Sequence, residues 1–216
     1  MIRGVTHRRI VPVAAVLFWV LLTGISLPSA GEQGWESLFD GKSLGQWKPT
    51  EFGGEGKVAV SNGEIKLEAG VTLTGITWKG AELPKTGYEI SLEAKKTDGN
   101  DFFCGLTFPV GNSSCSLILG GWGGGIVGLS SIDGMDASEN ETTQVMNFPK
   151  DRWYRVRVRV TTKKIEAWLD DQNIVDVVTT GRKISIRPEV ELSQPLGVAS
   201  WMTGAAIRNI KLRRLD

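Results

Sequence analysis

Trp153-Tyr154-Arg155-Val156-Arg157-Val158-Arg159-Val160 reads with period two. Val156, Val158 and Val160 point to one side, and Arg155, Arg157 and Arg159 to the other. Extended backbone sends successive side chains to opposite faces, so this is a strand with one face in the core and one in water. The polar residues from Thr161 to Lys164 make a turn, and Ile165 to Leu169 return as a partner strand. In that partner Ile165, Ala167 and Leu169 face inward, while Glu166, Trp168 and Asp170 fall near the arginine row. Asp170-Asp171-Gln172-Asn173 is the next turn, and Ile174 to Val178 the next strand.

The same reading extends along the chain. Strands are expected at Lys57 to Val60, Glu64 to Leu67, Tyr88 to Lys95, Phe102 to Phe108, Ser116 to Leu119, Leu196 to Trp201 and Ala206 to Leu215. No run of about ten residues carries helical periodicity. Gly 27 and Trp 8 in a chain of 216 residues suit many turns between short strands. The expectation is an all-β sandwich or barrel. Hydrophobic content of 41% and charged content of 23% exclude bulk disorder, a coiled coil and a polytopic membrane protein. A net charge of +1 offers no electrostatic case for nucleic acid.

The first residues read as a secretory signal over residues 1–30, followed by a single domain over residues 31–216. Arg3, Arg8 and Arg9 precede an apolar run from Ile10 to Leu22, and Ser26, Ser29, Ala30 and Gly31 follow it. That run is shorter than the roughly 20 residues a membrane span needs. The expected location is therefore extracytoplasmic, periplasmic or secreted, with no membrane association after signal removal. Removal takes the one histidine, His7, and leaves 22 basic against 24 acidic residues. A chain without histidine has no Ser-His-Asp triad, Cys-His dyad or His-ligated metal. Acid–base work falls to Asp, Glu, Lys, Tyr or Arg. Export also bears on Cys104 and Cys115, which flank the turn-rich Pro109-Val110-Gly111-Asn112. A disulfide across a hairpin is expected, contributing about 3 kcal/mol or less for so short a loop, with two reduced, buried thiols as the alternative.

The opening Trp35-Glu36-Ser37-Leu38-Phe39-Asp40-Gly41-Lys42-Ser43-Leu44-Gly45-Gln46-Trp47 resembles the "LFDGK-x-L-x-x-W" start of the 3-keto-disaccharide hydrolase family. Val58 through Ile65, Tyr88 to Leu92, Trp153 through Asp170 and Ile207-Arg208-Asn209-Ile210-Lys211-Leu212 are similar to later motifs of that family. The resemblance runs from Trp35 to Leu215. It implies a concanavalin A-like jelly roll of two antiparallel sheets, with 3-keto-glucoside 1,2-lyase and 3-keto-2-hydroxyglucal hydratase activity. In such chemistry a base removes the proton at C2, a cation or hydrogen-bond donors stabilise the enolate, and the C1 substituent leaves. The chain departs from the family pattern at two places. The stretch Asn100 to Gly105 carries no "NSG", and Trp201 and Ala199 fall roughly where family members have His and Gln.

Several segments carry candidate chemistry. Asp133, Asp136, Glu139 and Glu141 lie close together between Ser130 and Thr142. One of them is a candidate base, and the group is a candidate oxygen-donor site for a divalent cation; a solvated acidic loop is the plainer alternative. Trp122, within Gly120-Gly121-Trp122-Gly123-Gly124-Gly125, is a candidate platform for a sugar ring, or else a strand edge where glycine packs tightly. Arg155, Arg157 and Trp168 are further candidates for sugar binding, set against a solvated strand face cross-paired to Glu166 and Asp170, and Trp201 is another candidate. Asp101 precedes a strand and is a minor candidate. No cofactor is called for with certainty. The leading expectation is a secreted glycoside-active protein that cleaves 3-keto-glucosides. A non-catalytic carbohydrate-binding or structural extracytoplasmic domain is the alternative.

Overall fold

The computed structural model describes residues 34–215, together with Met1 and Gly4. The signal read over residues 1–30 lies outside that segment. The strands are β1 (Glu36–Ser37), β2 (Trp47–Pro49), β3 (Val58–Ser61), β4 (Glu64–Leu67), β5 (Leu73–Trp78), β6 (Tyr88–Lys96), β7 (Cys104–Val110), β8 (Ser113–Gly120), β9 (Ile126–Ser130), β10 (Gln144–Val145), β11 (Tyr154–Val160), β12 (Lys164–Leu169), β13 (Gln172–Val178), β14 (Gly197–Trp201) and β15 (Ala205–Arg214). Among the described residues they form two antiparallel sheets. The first runs β13-β12-β11-β6-β15-β4-β3, with β1 beside β15, and the second runs β10-β9-β8-β7-β14-β5-β2.

Residues alternating inward from both sheets make one core. Val156, Val158 and Val160 of β11 and Ile90 and Leu92 of β6 share it with Leu106 and Phe108 of β7, Leu117 of β8 and Leu129 of β9. Each such side chain, fully buried, stabilises the fold by about 1.5–3 kcal/mol. Trp47 and Trp78 meet edge to face at 5.3 Å on β2 and β5. Tyr88 on the first sheet donates its hydroxyl to the Pro109 carbonyl on the second, 2.5 Å away, tying the layers together. Burial pushes that phenol well above its usual pKa.

Local chemistry sets the register. Asn62 and Gly63 join β3 to β4 with φ of 55° and 77°, the left-handed pair that a two-residue hairpin turn requires. In β15 the pattern Ile207, Ile210, Leu212 breaks period two between its first two members. A bulge between Arg208 and Lys211, with Asn209 at φ 54°, absorbs the extra residue, so all three apolar side chains stay buried.

The expected disulfide is not formed. Cys104 and Cys115 are both free and fully buried. β7 and β8 do form a hairpin, but Cys104 pairs with Leu119 and Cys115 with Phe108. Four residues of strand, about 13 Å, separate the two positions along the hairpin. That exceeds the roughly 7 Å between Cα atoms that a disulfide tolerates. Burial pushes both thiols up to about 12, so they behave as small apolar core residues.

Candidate functional site

The two sheets present very different outer faces. On the first, residues in register form cross-strand rows: Arg159–Glu89–Arg213, Arg157–Ser91–Lys211 and Arg155–Glu93–Arg208. Glu89 is fully buried and accepts hydrogen bonds from Arg157 at 3.0 Å, Arg159 at 2.7 Å and Arg213 at 2.6 Å. Burial alone raises that carboxyl, but bonding to Arg159 and Arg213 and their charge outweigh it and hold it below its usual value. The Arg157 guanidinium lies over the Trp168 ring, 3.8 Å from its centroid, and Arg208 lies over Trp153 at 4.0 Å. Arg155 reaches out to Asp171 at 2.8 Å. The arginines and Trp168 are thus engaged with one another and with carboxylates, and none of them lines the cleft described next.

On the second sheet two cross-strand rows of outward positions are mostly small. Gly75, Ala199, Gly105, Ile118 and Gly128 lie in one cross-strand row, beside a row of Thr77, Gly197, Thr107, Ser116 and Ser130. Two covering segments fold over this floor. One is a short 3₁₀ helix, Pro188–Ser193, whose Leu192 carbonyl accepts from Thr77 Oγ1 at 2.8 Å. The other is the acidic loop after β9. Asn140 Nδ2 donates to the Leu129 carbonyl at 2.7 Å, and Thr142 Oγ1 accepts from the Leu129 amide at 2.8 Å.

On this face, against the 3₁₀ helix and the Trp122 loop, is a cleft of about 270 Å³. Leu73, Ser116, Ile118 and Ser130 are its buried lining, and Asp101, Phe102, Trp122, Arg187, Glu189, Val190 and Trp201 complete it. Trp122 and Trp201 are therefore brought together. Trp122 is 45% exposed and held at φ 49° by a loop in which Gly120, Gly123 and Gly124 are also left-handed. A left-handed tryptophan costs energy, and the glycines around it supply the backbone that permits it. Asp101 fastens that loop, accepting from the Gly123 amide at 3.2 Å and from the Phe102 amide at 2.7 Å. The Ser130 hydroxyl is buried and has no hydrogen-bond partner.

The acidic loop splits. Asp136 accepts from Arg187 Nη1 at 2.7 Å and from Ser138, so it braces the cleft's arginine from behind. Glu189 meets the same guanidinium at 2.9 Å and is held below the usual carboxylate value by it. Asp133 and Glu141 both close on Arg182. The Lys183 amide and Arg182 lower Asp133, and Arg182 lowers Glu141. Glu139 is exposed. The loop's oxygens are turned toward arginines, and among the described residues no group of three His, Cys, Asp or Glu side chains is placed to hold a metal ion. Arg187, Glu189, Ser116 and Ser130 were not singled out from the sequence. A signal was present in Arg187-Pro188-Glu189, where proline both fixes a helix start and keeps the preceding residue extended.

The model of the 3-keto-alpha-glucoside-1,2-lyase-like domain matches residues 34–213. The chain belongs to this family. Among solved structures, a candidate glycosyl hydrolase from Parabacteroides distasonis is similar at 18% identity and a TM-score of 0.54, covering 86% of this chain and 96% of that one. The Crh5 transglycosylase in complex with NAG matches at 10% identity and a TM-score of 0.58, over 84% of each chain. A Bacillus subtilis protein with a galectin-like fold matches at 10% identity and a TM-score of 0.57, covering 83% of this chain and 94% of that one. At these identities the likeness is one of fold alone, an all-β sandwich. No curated protein is matched. No helix among the described residues is long and apolar enough to cross a membrane.

Proposed function

We propose that this chain is an extracytoplasmic glycoside-active protein whose cleft on the second sheet binds a hexose unit and cleaves 3-keto-glucosides by elimination. The observation that carries the reading is the cleft itself, in a domain of the 3-keto-glucoside lyase-like family. It joins two tryptophans, one arginine and two carboxylates in a space sized for one ring. Trp122 and Trp201 offer flat faces to the C–H side of a pyranose. Arg187, with Asp136 behind it, offers donors to an oxygen that gains negative charge.

The chemistry then divides simply. The keto group at C3 acidifies the proton on C2. Asp101 or Glu189, the carboxylates of the cleft, accepts that proton. Charge moves to the C3 oxygen, where Arg187 stabilises the enolate. The C1–O bond breaks, C1=C2 forms, and the aglycone leaves as its alcohol after taking a proton. Water added across C1=C2 gives the free 3-keto-sugar, so the net result looks like hydrolysis. Asp133 and Glu141, closed on Arg182, play no part in this scheme, and Asp136 positions Arg187.

One observation favours the non-catalytic alternative. Glu189 is paired with Arg187 and lowered by it, which makes it a weaker base. The deciding test incubates the protein with 3-keto-glucosides and the unoxidised glucosides, with and without a chelator, and measures released sugar. Release from the keto substrates alone is expected. No release from folded protein that still binds the sugar refutes cleavage and leaves a binding module.

A further inference from the structure

The outer face of the second sheet carries a row of hydroxyls, from Thr77 through Thr107 and Ser116 to Ser130. Thr77 is bonded to Thr50 at 2.7 Å and to the Leu192 carbonyl at 2.8 Å, and Thr107 to Ser116 at 2.8 Å. Ser130 ends the row. It is 1% exposed, and its hydroxyl has no partner in the protein. Tyr154, Ser193 and Ser200 share that state among the described residues, but of the four only Ser130 lines the cleft. A buried hydroxyl without a partner is costly until something polar meets it, so Ser130 marks where the cleft receives a polar group.

The chemistry of the hydroxyl says which group that is. A serine hydroxyl gives one proton and accepts on its lone pairs. A carbonyl oxygen would use only the proton, and an N–H only the lone pairs, whereas another hydroxyl uses both. Arg187, also in the lining, is a donor alone and suits a carbonyl or enolate oxygen. Ser116 stands directly opposite Ser130 across β8 and β9, and their Cβ atoms are about 5 Å apart. Both serines line the cleft, while Thr107 does not. Where Thr107 donates in its bond to Ser116, the Ser116 proton is left for the cleft. Both hydroxyls sit on paired strands, so they are in place before a ligand arrives.

We infer that Ser130 is a specificity-determining residue of this cleft, with its hydroxyl bonded to a sugar hydroxyl at C2, C4 or C6 while Arg187 takes the C3 oxygen. This deepens the glycoside reading above and rests on it. The cleft then selects among hexoses through the floor of the sheet, and not only through the flat faces of its tryptophans.

The test pairs Ser130→Ala with methyl glucoside and its 2-, 4- and 6-deoxy analogues, binding being followed by tryptophan fluorescence. Thermal unfolding without ligand and kcat and KM on 3-keto methyl glucoside run beside it. One deoxy analogue should bind the wild type on the order of tenfold more weakly than the parent, the scale of one hydrogen bond. Ser130→Ala should bind the parent as weakly and no longer distinguish that analogue. Alanine removes an unpartnered group, so the Tm of this variant should equal or exceed that of the wild type. Ser116→Ala, which takes the partner of Thr107, should unfold at a lower temperature. A variant that keeps the wild-type discrimination overturns the inference. So does a Tm that falls for Ser130→Ala with every ligand weakened alike, the mark of a hydroxyl that only supports the fold. Cleavage by wild type and Ser130→Ala at the same kcat/KM overturns the inference and leaves the cleavage reading intact. No cleavage, with the expected loss of discrimination in binding, refutes cleavage and upholds the contact. Neither cleavage nor binding overturns both.

Discussion

Replacing Glu89 with Gln decides whether the arginine face of the first sheet is a closed lattice or a free binding surface. Glu89 Oε1 accepts from Arg157 and Arg159, and Oε2 from Arg213. Glutamine keeps the size but puts an amide donor where one oxygen stood, so at least one guanidinium faces a donor. A hydrogen bond to a charged group contributes about 1.5–3 kcal/mol, and removing one partner of a buried ion pair costs about 3–5 kcal/mol. The arginine side chains here are 33%, 33% and 26% exposed, so water takes over part of the lost contact. The expected destabilisation is therefore about 2–3 kcal/mol, or a fall in Tm of roughly 4–12 °C for a domain of this size. Urea and thermal unfolding at neutral pH measure it. The pH dependence gives a second readout. A carboxyl held below its usual value stabilises fully above about pH 4.3, and that stability fades as pH falls through the lower folded value. The variant must lose that acid limb. A loss below about 0.5 kcal/mol, the scale of an exposed ion pair, refutes the lattice and returns Arg157 and Trp168 to the pool of free ligand-binding groups.

Three further outcomes are expected. Trp122→Gly should leave unfolding free energy within about 1 kcal/mol, since glycine relieves the left-handed backbone while loosening the unfolded chain, yet weaken sugar binding roughly tenfold. Titration calorimetry beside urea unfolding separates the two. Cys104 and Cys115 should resist alkylation in the folded protein and both react after denaturation, with reductant leaving Tm unchanged; a Tm that falls with reductant would contradict the observed register. Arg182→Ala should open the acidic loop to protease at neutral pH. The wild type should do so only as pH drops below the ordinary carboxylate range of about 4, because Asp133 and Glu141 are held low by their bonds and stay ionised above it.

Much of the first sheet was legible because its outer face meets water. Glu64–Leu67 and the strands of Tyr88–Lys96, Tyr154–Val160 and Lys164–Leu169 alternate apolar with charged, and each was placed within a residue. The second sheet hid β5 and β9. Leu73–Trp78 is buried at every position, and Ile126–Ser130 at all but its first, because the 3₁₀ helix and the acidic loop cover the outer side. Polarity cannot alternate along a strand that has no wet face, so period two was absent where the fold most needed it.

The site was half legible for the same reason. Trp122 and Trp201 stood out as aromatic residues in unusual company, and the cleft unites them. The carboxylates of the loop stood out by density, yet density reports charge and not partners. Arg182 and Arg187 lie some 50 residues further along the chain and were paired with Asp133 and Asp136 only by folding. What spacing cannot show is how the covering segments were made to fit. Gly128 has an outward side with no room for a side chain, since a Cβ there would stand 2.9 Å from the Ala137 carbonyl oxygen. Gly197 is tighter still, at 2.6 Å from the Ser193 carbonyl oxygen. The glycines that weakened the strand signal in this sheet are the ones that let its covers approach, and the 3₁₀ helix that settles on Gly197 brings Glu189 and Val190 to the cleft.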